Sequence, residues 1–369
     1  MYKATINVLK QLEKQGYKAY AVGGYPRDLY LGRKSLDVDI CTNATPKEIK
    51  EVFKNVKLDA MKYGSVTLIY NKVRFEITTF RKEIKYEDNR RPVKIEYIND
   101  LEEDLRRRDF IINTLCMDSN GVIIDLLGAE EDLKTRRIRM VGNVKKRLKE
   151  DILRILRAVR FATILNFDLD PDLEKYIKKY GRLVKKLSYE RKKEELDKIF
   201  SSPNVKYGID LLIKLKLDKH LEIPKLRNII ITSSLLGIWS QLDVLEIYKF
   251  NNNEKKIIKQ INELMNKDLL ANENLYKYGL YVSTIVGEIK GIDRKIINEK
   301  YHSLYITSRN EIAITSKEIC KLLNKKPGSF LKVILDDIES KIVKKELIND
   351  KKVLKKYIIN KIWGNSYEI

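Results

Sequence analysis

Residues 23 to 40, GGYPRDLYLGRKSLDVDI, place a double glycine and a basic residue a fixed distance ahead of two carboxylates. A strand-like run from Tyr17 to Val22 leads into Gly23 and Gly24, where missing side chains let backbone N–H groups come close to phosphate oxygens. Arg27 follows as a phosphate partner. Leu36 to Ile40 alternates apolar and acidic residues, so a strand's period of two sets Asp37 and Asp39 on one face. Oxygens paired in this way suit a hard divalent cation such as Mg²⁺ that also takes substrate phosphates, a seat for phosphoryl or nucleotidyl transfer. Either motif alone is common in proteins of other kinds; the chemistry rests on their joint spacing.

Two further segments carry candidate site residues. In RRRDFIINTL, residues 106 to 115, Asp109 and Asn113 share a face if the segment is helical. Arg108 is then a triphosphate partner and Asp109 an acceptor for a ribose hydroxyl, set against the reading of the run as a solvated basic turn. In EDILRILRAVRF, residues 150 to 161, Asp151 and Arg154 stand at i and i+3, and Arg157 and Arg160 continue the spacing. Cytosine and adenine both present an amino donor beside a ring acceptor, which an Asp acceptor and an Arg donor match. Uracil and guanine reverse that order and leave polar groups unpaired. Asp151 and Arg154 therefore select C and A, and Arg157 and Arg160 serve phosphates. The competing reading is an ion pair on a helix surface.

The elements that must hold these groups alternate as far as about residue 125. A first helix carries Ile6, Leu9 and Leu12 as its apolar stripe; strands precede Gly23 and contain the carboxylates; a helix over Pro46 to Phe53 has Thr45 as N-cap. Val66 to Tyr70 and Val73 to Thr79 read as a hairpin across Asn71 and Lys72, and the second strand brings Glu76 as a third carboxylate for the catalytic group. Residues 81 to 105 are charged and broken by Pro92, which predicts a long mobile connection. After Gly142 the pattern predicts helix to the end of the chain, without strands, with breaks at Pro224, Asn251 to Asn253 and Pro327.

At 369 residues the chain has room for more than one domain. Its 74 Lys and Arg against 52 Asp and Glu give a net charge of +22, which favours a polyanionic partner, nucleic acid first. Part of that excess is a Lys-rich composition. Cys41, Cys116 and Cys320 have neither disulfide nor metal spacing, and His220 and His302 stand apart, so a reduced cytoplasmic protein without structural zinc or a Ser-His-Asp centre is expected. Nothing reads as a signal peptide or a membrane span, so no membrane partner is expected, and no obligate protein partner is inferred.

In family order these motifs resemble the class II tRNA nucleotidyltransferases, the bacterial CCA-adding enzymes, with bacterial poly(A) polymerase as close kin. The likeness covers residues 17 to about 200: GGYPRDLYLG with LDVDI, RRRDFIINTL, EDILRILRAVRF, and SYERKKEEL at 188 to 196. It implies an α+β fold with a polymerase-β-like head and an all-helical neck, body and tail. The divisions fall at 1–140, 141–200 (carrying the nucleotide-selecting helix), 201–275 and 276–369, the last part binding tRNA. It also implies that Asp37 and Asp39 bind Mg²⁺, that Gly24, Arg27, Arg108, Arg157 and Arg160 hold the triphosphate, that Asp151 and Arg154 read the base, and that Glu190 and Arg191 brace the selecting helix. The expected substrates are CTP, ATP and tRNA. The chain departs from the family at Tyr25 and Pro26, and at Asn143, Val144 and Leu148, where Asp, Pro and Phe are usual.

CCA addition is the leading expectation, supported by the segment 81 to 105, since relatives restricted to CC addition are expected to lack a comparable flexible loop. Addition of A alone and poly(A) synthesis are the alternatives within the class. Outside it stand a catalytically silent RNA-binding protein and a small-molecule nucleotidyltransferase of the antibiotic-modifying type. With only two separated histidines, the metal phosphohydrolase domain appended to some relatives is not expected.

Overall fold

The computed structural model describes residues 1–35, 37–57, 64–87 and 91–363, with backbone alone at 83–87, 91–94 and 362–363. The chain divides into two compact units, Met1–Arg227 and Asn228–Ile369.

The first unit opens with α1 (Tyr2–Glu13), whose buried stripe is Ala4, Val8, Leu9 and Leu12; Ile6 lies at its margin. Strand β1 (Ala19–Val22) ends at Gly23, and α2 (Gly24–Tyr30) follows at once. Next come β2 (Val38–Thr42), α3 (Pro46–Val52), β3 (Val56–Lys57), β4 (Ser65–Tyr70) and β5 (Val73–Thr79). Thr45 and Glu48 close a reciprocal capping box on α3, as the Thr45 N-cap expectation requires. Asn71 and Lys72 take φ values of 48° and 63°, the left-handed pair that a two-residue hairpin loop demands.

With β8 (Cys116–Met117) and β9 (Ile123–Ile124), these strands form one mixed sheet in the order β3-β4-β5-β2-β1-β8-β9. The pair β2/β5 is parallel and its other pairings antiparallel. Alternation along β2 sends Val38 and Ile40 into a core shared with α1 and α3, and turns Asp39 to the opposite face. A slip of one residue would drive that carboxylate into the core, so the apolar positions also fix where the acid stands. Cys41 and Cys116 are buried free thiols in a smaller cluster with Val22, Phe80 and Leu105.

Residues 81 to 105 differ from the expected loop. They form an antiparallel ribbon, β6 (Arg81–Glu87) with β7 (Arg91–Tyr97), and then helix α4 (Leu101–Arg106). The alternation Ile84, Tyr86, then Val93, Ile95, Tyr97 among charges is strand-like, and Pro92 is tolerated because a two-stranded ribbon has open edges. Residues 88–90 lie outside the described set.

Helix α5 (Ala129–Lys134) and β10 (Arg137–Ile138) precede the helical part. One short strand interrupts the predicted continuous helix: β11 (Asp168–Leu169) pairs in parallel with β10, where Asn166 in a left-handed conformation turns the chain back. The helices are α6 (Val144–Glu150), α7 (Leu153–Leu165), α8 (Pro171–Tyr180), α9 (Tyr189–Phe200), α10 (Val205–Lys214) and α11 (Leu217–His220). Asn143 caps α6 by accepting the Lys146 N–H at 3.0 Å, so this departure from the family keeps a capping acceptor; Leu148 is fully buried.

The second unit is helical among its described residues: α12 (Leu235–Ser240), α13 (Asn252–Met265), α14 (Asn272–Lys290), α15 (Arg294–His302), α16 (Ser316–Leu323), α17 (Phe330–Val343) and α18 (Lys351–Trp363). Asn251 and Thr315 start α13 and α16 with capping boxes, and Pro327 falls between α16 and α17 as expected. Gly279 interrupts α14 with φ 72° and ψ 170°. Among the described residues no helix is long and apolar enough to cross a membrane.

Candidate active site

All the sequence-predicted site residues line one cavity of about 660 Å³ in the first unit. Asp39 and Glu76 come from the sheet and Asp37 from just before β2; Gly24 and Arg27 from α2; Arg108, Asp109 and Asn113 from the segment after α4; Asp151 from the junction of α6 and α7, and Arg154, Arg157 and Arg160 from α7. Gly23, Arg107, Phe161 and Lys198 join them.

The carboxylates are brought together partly by sequence and partly by register. Asp39 lies on β2 and is the Cα partner of Glu76 on parallel β5, so the two share a face. Asp37 precedes the strand, which begins at Val38 and not at Leu36; Leu36 itself lies outside the described residues. Asp39 is exposed to the cavity, with Arg108, Glu76 and Asp37 as its charged neighbours. Burial pushes its carboxyl up to about 6, Arg108 opposes the rise, and Glu76 and Asp37 add to it. Among the described residues no group of at least three His, Cys, Asp or Glu side chains is gathered tightly enough to hold an ion alone. A cation that keeps water and takes phosphate oxygens needs only one or two protein carboxylates, so the donor set fits such an ion. Gly23 makes the approach possible: at φ +81° it carries no Cβ, and one placed there would lie 3.3 Å from Asp39 Oδ2 and 3.6 Å from Arg108 Nη1.

Asp109 and Asn113 meet as expected, but not on an α-helix. Phe110 bridges to Met140, and Ile111–Asn113 form a 3₁₀ turn that brings Asn113 Nδ2 to 3.1 Å from Asp109 Oδ1. Asp109 also accepts the Phe110 N–H at 2.9 Å and Arg157 Nε at 2.6 Å. Burial alone would raise its carboxyl; Arg157 and the hydrogen bonds of Asn113 and Phe110 instead hold it well below the usual carboxylate range. The carboxylate accepts three hydrogen bonds here, which leaves room for a further donor such as a ribose hydroxyl while it anchors Arg157. Asn113 passes the connection on, its Oδ1 accepting from Arg27 Nη1 at 2.6 Å, while Arg27 also meets Asp28 at 2.8 Å. Beneath them fully buried Asp104 takes Arg107 Nε at 2.8 Å and faces Arg108 Nη2 at 3.5 Å.

The base-reading pair needs a larger correction. The segment 150 to 161 is not one helix: α6 ends at Glu150, Asp151 is extended (φ −138°, ψ 107°), and α7 begins at Leu153. Asp151 accepts the Leu153 N–H at 3.0 Å, doing for α7 what short acidic residues do at helix starts. Buried Arg154 donates through Nη1 to Arg147 O at 2.8 Å and to Glu150 Oε2 at 3.3 Å. Asp151 and Arg154 still line the same cavity, joined through the helix start and not by a continuous helical face. Arg191 on α9 reaches Asp151 at 3.6 Å, as the bracing expectation holds. Glu195, from the same helix as Glu190, also meets α7, 2.8 Å from Arg160 Nε and 3.7 Å from Lys198. Lys198 was missed because its only sequence signal is the i, i+3 spacing from Glu195, common on any solvated helix.

A mixed sheet presenting carboxylates beside a glycine turn, faced by a helix carrying arginines, defines a nucleotidyltransferase, a class that is generally metal-dependent. Family models match in chain order: the poly A polymerase head domain at residues 19–139, a probable RNA and SrmB-binding site of polymerase A at 166–228, and a putative tRNA nucleotidyltransferase domain 2 at 234–358. The chain is 37% identical to the CCA-adding enzyme of Lactococcus lactis subsp. cremoris over 93% of this chain and 92% of that one. It is 34% identical to that of Ligilactobacillus salivarius over 96% and 95%. The crystal structure of the Bacillus stearothermophilus CCA-adding enzyme in complex with CTP superposes with a TM-score of 0.84 at 29% identity, covering 99% of this chain and 98% of that one. The chain belongs to the CCA-adding enzyme family.

Proposed function

We propose that this protein adds C, C and A to the 3′ end of tRNA from CTP and ATP, with release of pyrophosphate. The observation that carries the reading is the convergence of Asp37, Asp39, Glu76 and the arginines on one cavity, in a chain related to CCA-adding enzymes over nearly its whole length. Asp37 and Asp39 hold Mg²⁺, with Glu76 adjoining; when bound, the ion supplies charge for the reacting phosphate and lowers the pKa of the attacking 3′-hydroxyl. Gly24, Arg27, Arg108, Arg157 and Arg160 hold the triphosphate, with Asp109 and Asn113 fixing Arg157 and Arg27 from behind. Asp151 and Arg154 read the Watson–Crick edge and admit C and A, because U and G would set a carbonyl against the Asp151 carboxylate and an N–H against the guanidinium.

Residues 1–140 act as the catalytic head, 141–200 as the neck carrying the nucleotide-selecting segment, 201–275 as the body and 276–369 as the tail, where the tRNA is gripped. The site of action is the cytoplasm, where tRNA and both nucleotides are available.

The test is incorporation into tRNA transcripts ending before CCA, with CTP, ATP or both, resolved to single nucleotides. Growth by CC with CTP and by CCA with both nucleotides is expected. Addition of A only to transcripts already ending in CC, long A tails on any RNA, or no transfer at all would overturn the proposal.

A further inference from the structure

Phe161 sits where the guanidinium groups of Arg160, Arg27 and Arg157 converge, at 4.3, 5.4 and 5.5 Å from its ring centroid. The ring lines the cavity, is 9% exposed, and is set edge-to-face against Phe110 at 5.6 Å between centroids. Cations gathered this closely repel one another, the more so where protein displaces water. Arg27 is restrained by Asp28 and Asn113, and Arg157 by Asp109. Arg160 has less: Glu195 stands 2.8 Å from its Nε without making a hydrogen bond, and that buried nitrogen has no other partner. Of the three it lies nearest the ring. A phenyl face is the negative pole of a quadrupole and attracts guanidinium groups, which an aliphatic side chain of similar volume does not.

We propose that Phe161 is a positioning residue that gathers Arg27, Arg157 and Arg160 into a preformed cradle for the triphosphate of the incoming nucleotide. The inference rests on the nucleotide-addition reading and extends it. The ring acts on the phosphate end and not on the base. Its loss is therefore felt equally by CTP and ATP, and by inorganic tripolyphosphate, which has no base at all.

The native protein, Phe161→Leu, Phe161→Tyr, and a series with increasingly fluorinated phenylalanine at 161 are compared. The readouts are KM and kcat for CTP and ATP on tRNA lacking CCA, the inhibition constant of tripolyphosphate, and thermal midpoints. Phe161→Leu should raise both KM values and the tripolyphosphate constant together by about tenfold, the worth of a desolvated cation–π contact. Phe161→Tyr should stay near the native values, and fluorination should weaken tripolyphosphate stepwise at constant shape. A leucine variant equal to the tyrosine variant, or a flat fluorinated series, overturns the proposal. If the leucine variant does not fold, the fluorinated series decides. If the native protein transfers no nucleotide, the functional reading falls, while tripolyphosphate binding across the series still tests the ring.

Discussion

Asp39 and Glu76 are direct register partners on parallel strands, so the acid nearest the glycine turn has an acidic neighbour supplied by sheet pairing across 37 positions of chain (76 − 39). Glu76 is one of the groups that raise Asp39. In metal-free protein, Glu76→Gln should move the Asp39 titration below its value of about 6, read by carboxyl NMR. An unmoved midpoint would mean that register does not couple the two charges.

Asp39→Asn should abolish nucleotide transfer, by more than the roughly 100-fold lost when only a supporting partner of a metal ligand is removed. The metal-free variant should also melt higher than the native protein at pH 7.5. The folded-state pKa of Asp39 is raised above its ordinary value, so the ionised carboxylate opposes folding at neutral pH, and that cost fades as pH falls through about 6. The gap in midpoint should close over the same interval.

Asp109→Asn removes the charged acceptor of Arg157, a loss of about 1–3 kcal/mol for a partly exposed pair. Because the folded carboxyl of Asp109 is depressed, its contribution is present above the ordinary carboxylate range and lost only in strong acid. The stability gap to the native protein should therefore stay constant between about pH 6 and 8 in calorimetry. KM for both nucleotides should rise with it, since the anchor of Arg157 is gone.

Asn143→Ala should cost about 1 kcal/mol through loss of the α6 cap, and Asn143→Asp almost nothing. Denaturant midpoints of the two variants separate a capping role from any need for asparagine itself.

With a net charge of +22, tRNA binding should weaken steeply with salt, by about 10³ or more between 50 and 200 mM if it covers at least six phosphates. A shallow slope in filter binding would place the excess charge away from the RNA.

Much of this site was legible in the chain because its parts are short and local. A glycine turn, an alternating acidic strand and a periodic run of arginines each announce themselves within about ten residues. Geometry that depends on distant partners was not. Asp151 looked helical because its neighbours keep helical spacing, yet its side chain bonds the Leu153 N–H and ends one helix by starting another. Asp109 looked like a free acceptor because Arg157 stands 48 residues away. Charge obscures the alternation of β6 and β7 in the sequence, and β11 is too short to carry a pattern of its own.

Gly23 sets a limit on how far such a centre can drift. Its bare backbone stands where a carboxylate and a guanidinium close in from either side, 3.3 and 3.6 Å from the place a methyl carbon would take. Even alanine there would meet steric crowding and an unfavourable φ together, so no gradual series of larger side chains leads away from glycine. Other positions in the site work through their side chains; this one permits the site to exist by contributing nothing beyond its main chain.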